Sequence, residues 1–133
     1  MEIRFLRKSG VPAAEISAHQ QIQKVFDSSP FTKSWRGYAS FQLARGGRGS
    51  GGDDFDLVLV THTCIVVIEL KNWHGNTLKS QGGKWYVDGE DRGASPVDLV
   101  SEKAKKLASR MKQKLGVEKT PFVNSFVVIQ DGI

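Results

Sequence analysis

Residues 53–75, DDFDLVLVTHTCIVVIELKNWHG, constrain the chain more than any other stretch. Two runs dense in Val, Leu and Ile, 55–60 (FDLVLV) and 64–71 (CIVVIELK), flank Thr61, His62 and Thr63. That composition predicts two strands joined by a short turn, an antiparallel hairpin. A turn centred between His62 and Thr63 pairs 60 with 65, 58 with 67 and 56 with 69. Asp56 then faces Glu69 across the hairpin, with Cβ atoms about 5 Å apart. Lys71 shares the face of Glu69, about 7 Å further along the strand. Core strands normally exclude charge, so three charges at one end of an apolar hairpin call for a reason.

The rest of the chain gives that hairpin its setting. Residues 12–27 predict a helix with Pro12 at the first position, Glu15 in the first turn, and Ile16, Ile22, Val25 and Phe26 as its apolar stripe. Glu15 there suits the positive end of the helix dipole. Residues 37–44 predict a strand, with Tyr38, Ser40 and Gln42 on one face and Ala39, Phe41 and Leu43 on the other. Residues 76–88 predict a second hairpin turning at Gly82-Gly83, with Trp85 and Tyr86 on opposite faces. Residues 96–115 predict the clearest helix. Ser95 caps it, Pro96 opens it, Asp98 completes a capping-box-like pattern and Gly116 ends it. Val97, Val100, Ala104, Leu107, Ala108, Met111 and Leu115 are its expected buried face. Residues 122–130 predict a final strand, and the unbroken run Phe126-Val127-Val128-Ile129 predicts a central one. His19 and His62 are expected at the surface, and Cys64 as a small strand residue.

Residues 45–54, RGGRGSGGDD, formally contain G-x-G-x-x-G at Gly47, Gly49 and Gly52. The context fails, because a dinucleotide loop opens a helix and this one runs into a strand. A kinase glycine loop would carry valine where Asp54 stands, on a far longer chain. The stretch reads as a flexible loop in which Arg45 and Arg48 are free to touch phosphates.

The 133 residues suffice for one domain, and 39% hydrophobic with 25% charged residues is a globular mix. No run reaches the roughly 18 apolar residues of a membrane span, and the N-terminus lacks a signal-peptide core. A cytoplasmic protein without membrane partners is expected. The net charge is +5, and residues 102–119, with seven Lys/Arg and two Asp/Glu, account for all of it. Lys103, Lys105, Lys106, Arg110, Lys112 and Lys114 on the exposed helix face suit a polyanion as well as a solvated surface.

Two readings fit the charged trio. One is a structural ion pair of Lys71 with Asp56 or Glu69. The other is a metal site, since paired carboxylates repel and a divalent ion neutralises them. Hard oxygen donors select Mg²⁺ or Mn²⁺, with the Leu70 backbone carbonyl as a third ligand. Lys71 beside the ion would assist a water and stabilise charge on a phosphate, as phosphodiester hydrolysis requires.

Asp56…Glu69-Leu70-Lys71 resembles the signature of the PD-(D/E)XK nuclease superfamily. The longer string DLVLV…VVIELKNWHG is similar to the nuclease-related domain, NERD, within it. The resemblance spans about residues 12–130. It implies a restriction-endonuclease-like α/β fold, a mixed sheet flanked by helices in the order α-β-β-β-α-β, and divalent-metal-dependent cleavage of DNA. Carried over by position, Asp56 and Glu69 are metal ligands, Lys71 is the catalytic lysine, and Glu15 matches the helix-1 acid placed near the metal. The chain departs from the family at the second helix. An Asn-Pro pair with a glutamine shortly after is expected there. Ser95-Pro96 is followed instead by Val97, Asp98 and Leu99, with no glutamine before Gln113.

The expectation is therefore a single domain over residues 1–133, the N-terminal part of a longer multidomain protein. It would be a Mg²⁺- or Mn²⁺-dependent DNA endonuclease that grips the DNA backbone through the basic helix. The alternatives are a silent nucleic-acid-binding or sensing module, and an interaction domain whose trio is only an ion pair.

Overall fold

A computed structural model describes residues 1–6, 10–44 and 52–130. The elements are β1 (Glu2–Phe5), α1 (Ala13–Asp27), β2 (Arg36–Ala44), β3 (Gly52–Val60), β4 (Cys64–Lys71), β5 (Leu78–Gln81), β6 (Lys84–Val87), β7 (Glu90–Ala94), α2 (Pro96–Leu115) and β8 (Phe122–Ile129). Five strands form one mixed sheet in the order β1-β2-β3-β4-β8, and β5-β6-β7 form a second, antiparallel sheet. β1 runs parallel to β2 and β8 parallel to β4, whereas β3 runs antiparallel to both β2 and β4. The α2 residues Val100, Ala104, Leu107 and Met111 pack on one face of the main sheet with Phe55, Val58, Ile65 and Val67. The α1 residues Ile22 and Phe26 pack on the other with Ala39, Leu57, Leu59 and Ile68. This is the expected helix-flanked mixed sheet, consistent with a restriction-endonuclease-like fold. Among the described residues no helix is long and apolar enough to cross a membrane.

The central hairpin has the predicted centre. Val60 pairs with Ile65 and Val58 with Val67. His-Thr lacks the positive φ that tight hairpin turns favour, and the flanking Thr61 compensates. Its hydroxyl accepts the Thr63 and Cys64 N–H groups at 3.3 and 3.0 Å and donates to the Cys64 carbonyl at 2.8 Å.

Several details depart from the sequence expectations. β1 and β7 are additional strands, too short and polar to announce themselves. Pro12 is the N-cap of α1 rather than its first residue, and its carbonyl accepts the Glu15 and Ile16 N–H groups. Ser95 occupies the N-cap of α2 without a side-chain capping bond. Val97 and Leu115 are exposed because they lie near the ends of α2, beyond the sheet that covers its middle. Val25 is likewise exposed, while His19 is buried against Phe5, their rings 5.0 Å apart. β8 is an outer strand, not a central one. Its Val127 and Val128 reach the two cores while Phe122 and Phe126 remain exposed. Residues 45–51, including Arg45 and Arg48, lie outside the described residues.

Candidate active site

Strand alternation fails at one point, and the charged residues gather there. Leu57 and Ala39 belong to the core on the α1 side, yet Phe55 and Phe41, two residues away, belong to the core on the α2 side. Side chains two apart on a regular strand share a face. Both β2 and β3 therefore flip faces between these pairs, at Ser40 and Asp56. Ser40 adopts a left-handed φ of 56°, and the β2–β3 ladder omits the pair it would make with Asp56. Below the break the Phe41 and Phe55 rings stack at 5.1 Å.

The break turns Asp56 towards β4. The β3–β4 ladder stops at Leu57 with Ile68, and Asp56 Oδ2 accepts the Leu70 N–H at 2.8 Å. The side chain thus replaces the next ladder bond and splays the strands. Burial pushes the Asp56 carboxyl up to about 6. The Leu70 N–H opposes the rise, the charges of Glu69 and Glu15 add to it, and Lys103 opposes it. Three carboxylates therefore bear on this point. They come from α1, from the plane of the sheet and from its α2 face.

Glu69 and Lys71 project on the α2 face, as alternation after Ile65 and Val67 requires. Lys71 Nζ lies 3.8 Å from Glu69 Oε1 and 5.8 Å from the centre of the Trp73 ring. Trp73 packs edge-on against Trp85 at 6.2 Å, so the second sheet supports the Lys71 end of β4. The other Glu69 oxygen, Oε2, accepts from Lys103 Nζ at 2.9 Å.

Glu15 approaches from α1. Its Oε1 accepts the Ser40 hydroxyl at 3.2 Å and lies 3.8 Å from His19 Nε2. Burial holds the His19 pKa below the ordinary imidazole value. The Asp56 backbone pulls it the other way, although neither ring nitrogen reaches hydrogen-bonding geometry with a partner among the described residues. Gln130, just past β8, fixes the first turn of α1. Its backbone N–H donates to the Lys71 carbonyl at 2.8 Å, and its side-chain amide donates to the Ala14 carbonyl at 2.8 Å. A cleft of about 140 Å³ lined by Pro12, Glu15, Ser40, Asp54 and Asp56 opens onto this region.

Among the described residues no three His, Cys, Asp or Glu side chains converge as ready ligands for one ion. Asp56 and Glu69 are nevertheless the donor set that Mg²⁺ uses, since that ion is commonly bound through one or two carboxylates and keeps several waters. The direction of the Leu70 carbonyl suits the same role. The Lys71 carbonyl points to the β8 side, where Gln130 meets it. Successive strand residues alternate, so the polar groups of Leu70 point the other way, towards Asp56. The donor chemistry fits a hard divalent ion.

The predicted basic face of α2 divides in two. Lys103, Lys106 and Arg110 recur at helical spacing along one flank. There Lys103 meets Glu69, and Lys106 Nζ lies 3.2 Å from Asp53 Oδ1. Lys105 and Lys112 lie on the opposite flank and border an open groove beside β8, with Thr120 and Phe122. Lys114 is exposed in the last turn. Sequence reasoning missed the place of Lys103, the Ser40 break and the Gln130 bridge. Lys103 left a signal, because it falls three residues after Val100 and four before Leu107, on the packed stripe.

The chain matches no curated protein and no solved structure. It does match the family model of the nuclease-related domain, NERD, over residues 13–130. That span runs from the first residue of α1 to the Gln130 bridge and takes in every element of the site, so the chain belongs to the NERD family of nuclease-related domains.

Proposed function

We propose that this domain is a DNA endonuclease that hydrolyses phosphodiester bonds with Mg²⁺ or Mn²⁺. One observation carries the reading: Asp56, held by the Leu70 N–H where the β3–β4 ladder stops, feels the charge of Glu69, which itself lies against Lys71. Asp56, Glu69 and the Leu70 carbonyl would hold the ion. When bound, the ion polarises phosphoryl oxygens and acidifies water. The remaining work falls to the chain itself. Lys71, braced by Glu69 and the Trp73 ring, directs an ammonium N–H at the reacting phosphate and orients the attacking water. Glu15, steadied by Ser40, adds negative charge that favours ion uptake. The flank of Lys106 and Arg110 takes the neighbouring phosphates, a contact that carries no base preference.

A second reading, a module that binds nucleic acid without cutting, is favoured by Leu99, an exposed apolar residue in the stretch of α2 where the family pattern expects glutamine. Plasmid nicking separates the two. The wild type should convert supercoiled plasmid to open circles with Mn²⁺ or Mg²⁺ but not with Ca²⁺. Glu69→Ala and Lys71→Ala should lower the rate at least about 100-fold. Salt-sensitive DNA binding without nicking under any divalent ion would instead establish the binding module.

A further inference from the structure

We propose that Lys103 is a second working cation of this site, holding Glu69 until a divalent ion takes that carboxylate and then contacting the scissile phosphate. The proposal rests on the metal-site reading above and assigns α2 a direct part in it.

The geometry around Glu69 carries the argument. Its two oxygens face two different ammonium groups, Oε1 towards Lys71 at 3.8 Å and Oε2 towards Lys103 at 2.9 Å. The shorter and better-formed contact is the one to Lys103. Both partners are sequestered, with Glu69 side-chain exposure at 12% and Lys103 at 20%. An ion that binds Glu69 must therefore compete with Lys103. Lys71 lies beside the Trp73 ring, which Trp85 backs. Lys103 reaches the carboxylate from a helix on a four-carbon stem and can swing.

Once displaced, the ammonium stays in place at its root. Val100 and Ala104 are buried and Leu107 packs on the same core, so α2 cannot rotate Lys103 away from the sheet. A part-buried ammonium without a counter-charge is unfavourable. The substrate supplies one, because the phosphate that reaches the ion also reaches Lys103. Lys103 also favours the ionised form of Asp56, so it acts on both carboxylates of the pair. The site is thus balanced by a protein cation in the absence of metal and by metal plus substrate in the working complex.

The test uses Lys103→Met and Lys103→Gln, which keep most of the side-chain volume, with Lys103→Arg as the conservative variant. Circular dichroism confirms folding. Mn²⁺ binding is measured by titration calorimetry without DNA. Removing the competing ammonium should tighten Mn²⁺ binding about five- to tenfold in both neutral variants and leave the arginine variant near wild type. DNA binding is then measured against salt concentration, with Ca²⁺ and with chelator. With Ca²⁺ the slope of the neutral variants should fall by about one unit, the loss of a single phosphate contact. With chelator it should not change, because Glu69 then holds Lys103. Unchanged or weaker Mn²⁺ binding, or an unchanged slope with Ca²⁺, overturns the proposal while the metal-site reading stands. A wild type that binds no divalent ion overturns that reading and this proposal with it.

Discussion

The Asp56 carboxylate stands where a backbone carbonyl would normally stand, accepting the Leu70 N–H at 2.8 Å. A side chain has entered the hydrogen-bond ladder of the central sheet. The same act ends the pairing of β3 with β4 and places a carboxylate between two apolar cores. The Leu70 N–H steadies that carboxylate, while burial and the charges of Glu69 and Glu15 oppose its ionisation. The domain therefore stores unfavourable charge at this point, which a bound divalent ion would relieve.

A pH dependence follows. The folded carboxyl is raised from 3.8 to about 6, so the folded state binds this proton more tightly than the unfolded chain. The stabilisation is complete below about pH 4 and is lost as pH climbs through about 6. In chelator, Asp56→Asn should be more stable than wild type at pH 7.5 by on the order of 2 kcal/mol, with the difference vanishing near pH 4. Asparagine keeps an oxygen for the Leu70 N–H. Added Mn²⁺ should reverse the order, raising the melting temperature of the wild type alone. Urea denaturation across pH, with and without the ion, checks both signs.

Ser40 allows a test of the backbone break. A non-glycine residue at φ 56° costs roughly 1 kcal/mol relative to glycine. Ser40 also donates to Glu15 at 3.2 Å, worth a similar amount. Ser40→Gly removes both effects and should stay within about 0.5 kcal/mol of wild type. Ser40→Ala keeps the strain and loses the bond, and should fall by about 1 kcal/mol. A glycine variant less stable than the alanine variant would refute the account. Both should weaken Mn²⁺ binding if Glu15 has to be held.

The central hairpin was legible in the sequence because β-branched runs, a short polar turn and the register arithmetic all agree, and Val60 does pair with Ile65. The face flip at Ser40 and Asp56 was not legible. It rests on one left-handed residue, and serine gives no warning of that as glycine would. Phe41 and Phe55 looked like ordinary alternating residues, whereas each packs on the face opposite to the one alternation assigns from Ala39 and Leu57. The Gln130 bridge joins groups 116 positions apart, beyond any local pattern. The burial of His19 likewise depends on β1, a strand of four residues that periodicity does not reveal.

The two flanks of α2 should behave differently towards DNA. Lys106 and Arg110 share a stripe with Lys103, next to the carboxylates, whereas Lys105 and Lys112 border the β8 groove. Replacing Lys106 and Arg110 together by alanine should lower the salt slope of DNA binding by about two units, and replacing Lys105 and Lys112 should leave it within about half a unit. Lys106→Ala also leaves Asp53, 14% exposed, without this ion pair. Glutamine at position 106 is therefore the cleaner control for stability. Equal slopes for the two pairs would place the backbone contact along the helix as a whole.

Gln130 should matter for geometry more than for stability. Its side-chain amide holds the Ala14 carbonyl, next to Glu15, while its backbone N–H holds the Lys71 carbonyl. One residue therefore sets the distance between the helix-1 acid and the strand that carries Glu69 and Lys71. Gln130→Ala loses a single half-buried hydrogen bond, about 1 kcal/mol by urea denaturation. Its backbone N–H is untouched, so β4 and β8 stay paired. Its plasmid nicking should fall further than that stability loss explains, by about tenfold or more, because small displacements of positioned groups are expensive in rate. Gln130→Glu keeps the length but places an acceptor against the Ala14 carbonyl, and should be at least as slow. Rates close to wild type in both variants would show that the position of Glu15 does not depend on this bridge.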